Sequence, residues 1–121
     1  MKLKILTQSF SVCKVADYSD VSRENPFVFT AVTDEERSLV CPTLLVPANT
    51  TERDDGWRGF RIEGVLDFSL IGILSRLSTL LAENKIGIFA VSTFNTDYIF
   101  IKEAQFDMAV FLLSHNGYEI S

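Results

Sequence analysis

In the stretch VLDFSLIG (65–72), Asp67, Phe68, Ser69 and Gly72 lie where a β-like apolar run passes directly into a helical one. The first N–H groups of a helix have no intrahelical acceptors, and they favour a carboxylate or phosphate. Asp67 or Ser69 can satisfy them by self-capping, and a bound anion can do the same. Gly72 falls inside the expected first turn, where glycine costs about 1 kcal/mol relative to alanine. Either a close backbone or ligand approach offsets that cost, or the glycine is a tolerated defect. A second polar set lies in STFNTDYIF (92–100). There Thr93 and Asp97 flank a tight turn with Asn95-Thr96 at its tip, since Asn tolerates positive φ. A carboxylate such as Asp97 suits an ammonium or another cation.

Other chemistries find little support. His115 is the single histidine, and a Ser-His-Asp or Cys-His site would have to use it. Its expected place is the last turn of a helix, where it complements the dipole. Cys13 and Cys41 stand apart in apolar runs and read as reduced, buried thiols. A zinc site would need carboxylates to complete it. The acidic runs DEER (34–37) and ERDD (52–55) read as solvated turns in preference to a metal site or a carboxylate pair. No glycine-rich phosphate loop occurs. No catalytic residue, metal site or cofactor is expected.

The formal net charge of −5 argues against nucleic acid and against an anionic membrane surface as partners, because both recruit clustered Lys and Arg. The N-terminus lacks the apolar core and cleavage site of a signal peptide. The apolar runs fall short of the roughly 20 residues that span a bilayer. A cytoplasmic location is expected.

The elements that would position these residues follow from periodicity. GWRGFRIEGVLDF (56–68) reads as a strand. Leu70, Ile73, Leu74, Leu77, Leu80 and Leu81 recur with helical spacing, with Arg76, Thr79 and Glu83 opposite them. Asn84 is expected to end that helix in a left-handed turn. IGIFAVSTF (86–94) and DYIFIK (97–102) read as a β-hairpin. EAQFDMAVFLLS then gives a helix with Phe106, Ala109, Val110 and Leu113 on one face, Gly117 at its left-handed stop, and YEI as a last strand. The order β-α-β-β-α-β over 57–120 is the ferredoxin-like pattern of an α+β fold, with helices on one face of an antiparallel sheet. The other face must be covered or become an interface. In the first half, KLKIL, SFSVCKV (9–15), PFVFTAV and RSLVCP (37–42) read as strands, the last two as a hairpin around TDEE. PANTTERDDG (47–56) reads as a linker.

On GVLDFSLIG, LLAENKIGIFAVST and TDYIFIK, the chain resembles the ACT domain. Within it, the likeness is to small bacterial tandem ACT proteins related to the CASTOR-type cytosolic arginine sensors of animals. FTAVTDEERSLVCP (29–42) looks like the N-terminal half of such proteins. The resemblance implies a degenerate ACT-like half, mostly β, over 1–55 and an ACT domain over 56–121. It implies a ligand, usually an amino acid, bound at an interface and relayed to a separate protein target. Carried over by position, Asp67, Phe68, Ser69, Leu70, Gly72 and Ile73 would form one side of the site. Thr93, Phe94, Asn95 and Asp97 would form the other. Corner and hairpin are expected to meet through an adjacent unit. The animal sensors hold two tandem units in one chain, so a shared site implies a homodimer here. Leu70 stands where a sensor of a basic amino acid would place an acid, which argues against arginine. A structural or interaction protein that binds no ligand is the alternative. A small enzyme using Asp67 or Asp97 as base ranks below both, having no visible nucleophile or second titrating partner.

Overall fold

The computed structural model describes residues 1–63 and 72–121. The chain forms two compact units, Met1–Thr7 with Arg58–Ser121, and Gln8–Trp57. Two long strands, β1 (Lys2–Val15) and β4 (Thr50–Ile62), each contribute residues to both units. Two expectations change here. KLKIL and SFSVCKV are one strand, because buried positions recur along its whole length. The presumed linker 47–56 is strand from Thr50 onward. Its acidic run is accommodated by an exposed strand surface, where charges meet cross-strand or same-strand partners. Lys14 pairs with Glu52 at 3.5 Å and Arg53 with Asp55 at 3.0 Å. The buried hydroxyl of Ser11 donates to Asp55 at 2.5 Å.

In the larger unit, β4 leads to α1 (Ile73–Glu83), β5 (Ile88–Ser92), β6 (Asp97–Lys102), α2 (Glu103–Ser114) and β7 (Glu119–Ile120). This is the expected βαββαβ order of the ferredoxin-like α+β fold. One strand more takes part: β7 runs parallel to β1, pairing Lys2 with Glu119 and Leu3 with Ile120. The start of β1 therefore lies between β7 and β4. Leu3, Phe60, Ile62, Ile99 and Ile101 from the strands meet Leu77, Leu81, Phe106, Ala109 and Leu113 from the helices in one core. On the helix-free face, Phe89 stacks on Phe100 with ring centroids 4.8 Å apart. Phe100 lies across Gly59, where an added Cβ would come within 2.9 Å of the ring.

Both helix boundaries differ from expectation in detail. Gly72 precedes α1 instead of sitting inside it, and takes φ +86°. In that left-handed conformation glycine is the favoured residue, so it carries no helix penalty. At the other end Asn84 has φ −101°, and the left-handed residue is Lys85 at φ +61°. The bonds Ile86 N–H to Leu81 O (2.9 Å) and Lys85 N–H to Ala82 O (3.0 Å) form a Schellman stop with lysine at the glycine position. Gly117 (φ +91°) plays that part after α2, as expected.

The smaller unit repeats the hairpin. β2 (Phe29–Val32) and β3 (Arg37–Pro42) pair in the register of β5 and β6 shifted by 60 residues: Phe29↔Val40 matches Phe89↔Phe100, and Val32↔Arg37 matches Ser92↔Asp97. In each turn the first Thr N–H donates 2.9 Å across the loop, Thr33 to Glu36 O and Thr93 to Thr96 O. The helices are not repeated. Where α2 would begin, a 3-10 turn over Thr43–Leu45 ends at Val46, which is extended (φ −61°, ψ 121°). Pro47 follows, and a residue before proline avoids the helical region.

Two substitutions test this packing. Lys85→Gly should stabilise the protein by about 1 kcal/mol, by relieving a left-handed side chain. Gly59→Ala should destabilise it by about 1–3 kcal/mol through overpacking against Phe100. Urea unfolding measures both.

Candidate ligand-binding site

One end of the larger unit gathers most of the candidate residues. β4 ends at Ile62, and its next residue donates from Glu63 N–H to Lys2 O (2.8 Å). Glu119 N–H donates to Met1 O (2.9 Å), so the start of β7 lies at the same end. The hairpin turn is there too. The buried Thr96 hydroxyl donates to Ile62 O at 2.6 Å. The turn is further closed by Thr93 Oγ1, which donates to Thr96 O at 3.0 Å. Hairpin and strand end therefore meet within one unit; the corner expected to meet the hairpin through an adjacent unit lies mostly outside the described residues. The tip is Phe94-Asn95, not Asn95-Thr96. Thr96 is drawn inward because its hydroxyl supplies the donor that the Ile62 carbonyl needs.

The expected site residues divide accordingly. Asp67, Phe68, Ser69 and Leu70 lie outside the described residues. Gly72 and Ile73 open α1. Thr93 is engaged in the turn, Asn95 is exposed, and Phe94 is 91% exposed at the tip. Asp97 starts β6 and accepts a 2.6 Å hydrogen bond from Ser92 Oγ. Among the described residues it has no ion-pair partner.

Beside Ile73 is a cavity of about 260 Å³, lined by Met1, Ile73, Arg76, Asn116, Gly117 and Tyr118. It is bounded by the start of α1 and the end of α2. The first helical bond of α1 is Arg76 N–H to Gly72 O (2.9 Å), and Gly72 at its N-cap has no side chain with which to cap it. The positive helix end and the Arg76 guanidinium favour an anionic group. The end of α2 contributes the opposite polarity. Its carbonyls are partly engaged, with Asn116 Nδ2 donating to Leu112 O at 2.7 Å and Tyr118 N–H to Leu113 O at 3.1 Å. A small molecule anionic at one end and cationic at the other suits such a space, whose volume lies below the usual range for drug-sized ligands.

Sequence reasoning placed Arg76 only on the outer face of α1, where it does lie exposed. The signal it passed over is that a cation in a helix's first turn opposes the dipole. Asn116 and Tyr118 carried no such signal, because only the return of α2 brings them to Ile73.

The remaining reactive groups fit structural roles. Cys13 and Cys41 are free and buried. Burial pushes the Cys13 thiol up, and burial with Cys13 nearby pushes Cys41 up to about 12. His115 is exposed, with Nδ1 2.9 Å from Phe111 O at the end of α2. Among the described residues, no group of three or more His, Cys, Asp or Glu side chains could hold a metal ion.

Residues 52–115 match the profile of the ACT domain family. The chain belongs to that family. ACT domains are typically regulatory ligand-binding modules. An X-ray structure of a protein from Agobacterium tumefaciens is similar, at 30% identity, covering 99% of this chain and 91% of its own with TM-score 0.85. Aspartokinase alpha and beta subunits share 15% identity over 95% of this chain and 96% of theirs, with TM-score 0.61. The ligand-free regulatory subunit of aspartate kinase from Thermus thermophilus shares 8% over 93% and 95%, also at TM-score 0.61. These last two likenesses show the fold alone. No functionally curated protein matches the chain.

Thr96→Val should cost about 1–3 kcal/mol in urea unfolding, since it strands the Ile62 carbonyl. Thr96→Ser should retain most of that stability. Native Cys13 and Cys41 should resist a thiol reagent at pH 8 and react fully once unfolded. Both thiols titrate higher folded than unfolded, so the unfolded chain loses these protons first. Stability should therefore fall as pH rises past about 9, the unfolded thiol range, towards the folded Cys41 value of about 12. Urea titrations across that range check the sign.

Proposed function

We propose that this ACT protein is a non-enzymatic, cytoplasmic regulatory module that binds a small amino acid and acts on a separate protein target. The observation that carries the reading is the cavity between the start of α1 and the end of α2, in a chain of a typically regulatory family. The ligand carboxylate lies toward the first amides of α1 and Arg76. The ammonium lies toward the end of α2 or toward Asp97, whose carboxylate has no cationic partner among the described residues. Asp67, Phe68, Ser69 and Leu70, which precede Gly72 in the chain, are proposed as further ligand contacts. Phe94, exposed on the adjoining hairpin, would cover a bound side chain. Gln8–Trp57 is a degenerate ACT-like unit: it keeps the hairpin register and lacks the helix ends that shape the cavity. The module acts as a homodimer. No helix among the described residues is long and apolar enough to cross a membrane.

A thermal-shift screen with the twenty amino acids tests this reading. A ligand at 100 times its Kd should add about 2.7 kcal/mol. Arg76→Ala should weaken a hit at least tenfold, because a charge-assisted hydrogen bond contributes about 1.5–3 kcal/mol. Asp97→Ala should weaken it too, with the fold retained. A flat response across the panel would leave the ligand-free interaction protein as the better reading, and turnover of any hit would overturn the non-enzymatic one.

A further inference from the structure

Helix α2 is apolar on two sides. Its inner side, Phe106, Ala109 and Leu113, is buried in the core. Its outermost positions, Ala104, Met108, Phe111 and His115, are all exposed. They follow one another at intervals of four, three and four residues, which is the seam spacing of a coiled coil. Met108 is 56% exposed and Phe111 55%. A surface helix ordinarily presents charged or polar residues there. His115 continues the helical backbone (φ −81°, ψ −6°). Its ring packs on Phe111 with centroids 4.1 Å apart and the planes tilted by 30°, so the two form one aromatic cluster.

We infer that this seam is the surface on which a second copy of the chain docks, with the two α2 helices antiparallel about a two-fold axis. The seam is complementary to itself in that arrangement. Met108 faces the partner's Phe111, and Ala104 faces the partner's His115, small against large. The charges agree as well. Ala104 is flanked along the helix by the exposed acids Glu103 and Asp107. The imidazole of the opposing copy therefore lies beside two carboxylates, which occupy one flank of the seam at i and i+4. Each helix also sets its positive end beside the negative end of the other. Both contacts occur twice, as a two-fold interface requires. Pairing with the helices parallel would instead bring the acids of the two copies together and their like dipole ends side by side. This inference rests on the homodimer reading and gives it a surface, one different from the helix-free sheet face; it does not depend on the ligand.

Sedimentation velocity and cysteine cross-linking test it. The wild-type protein should sediment as a dimer. Phe111→Glu and, separately, Met108→Lys should sediment as monomers with unchanged far-UV circular dichroism. Within one helix, positions 104 and 115 are about 16 Å apart along the axis. Ala104→Cys combined with His115→Cys should therefore give a disulfide-linked dimer under mild oxidation, while each single variant should not. The native thiols are buried and do not compete. A wild-type monomer would overturn both the seam and the homodimer reading. A dimer that survives both charge substitutions, or one that cross-links through a single variant, would overturn the seam alone.

Discussion

The hydroxyl of Thr96 donating to the carbonyl of Ile62 is the bond on which the arrangement at the cavity end of the larger unit depends. Ile62 is the last residue of β4, at the exit of the strand. The bond ties that exit to the turn between β5 and β6 and sets the hairpin beside it. The neighbouring bonds from Glu63 to Lys2 and from Glu119 to Met1 bring the two outer strands to the same level. Because α2 returns to this end before β7 begins, the finish of one helix comes to face the start of the other. The cavity is a consequence of this connectivity. None of its side chains needs to be unusual.

Much of this was legible in the sequence. DYIFIK and RSLVCP coincide with β6 and β3, because each is apolar and β-branched between unambiguous turn residues. The buried positions of α1 and α2 follow helical spacing, and Gly117 stands at its expected stop. Local rules failed where tertiary context decided. Glutamate and paired aspartates have low strand propensity, yet residues 50–55 form the first half of β4, where Lys14, Arg53 and Ser11 engage its carboxylates. Asn84 was the better candidate for a left-handed conformation, but the helix runs one residue further and Lys85 takes it. The residues around the proposed cavity were legible in part. Gly72, Ile73 and the hairpin were named from the chain. Arg76, Thr96, Asn116 and Tyr118 were not, since their roles arise from elements distant in sequence meeting at one end.

The repeated hairpin bears on how the two units divide the work. The smaller unit keeps register and turn chemistry but stops its helix at Pro47. Tyr18 pins the preceding segment instead, with its hydroxyl 3.0 Å from Ala31 O and 2.8 Å from Ser38 O. Without opposed helix ends, this unit has no equivalent of the polarity that surrounds the cavity beside Ile73. The facing helix ends are thus a property of the larger unit, while the smaller one shares its long strands.

The central claim is that an amino acid binds between the helix ends of the larger unit. Two-dimensional NMR of the labelled protein, titrated with the amino acids one at a time, tests it most directly. One of them should move the amide signals of Ile73, Arg76, Asn116, Gly117 and Tyr118, with those of Thr93 to Asp97, in a saturable way. Saturable shifts confined to Gln8–Trp57, or no shifts with any of the twenty, would contradict it.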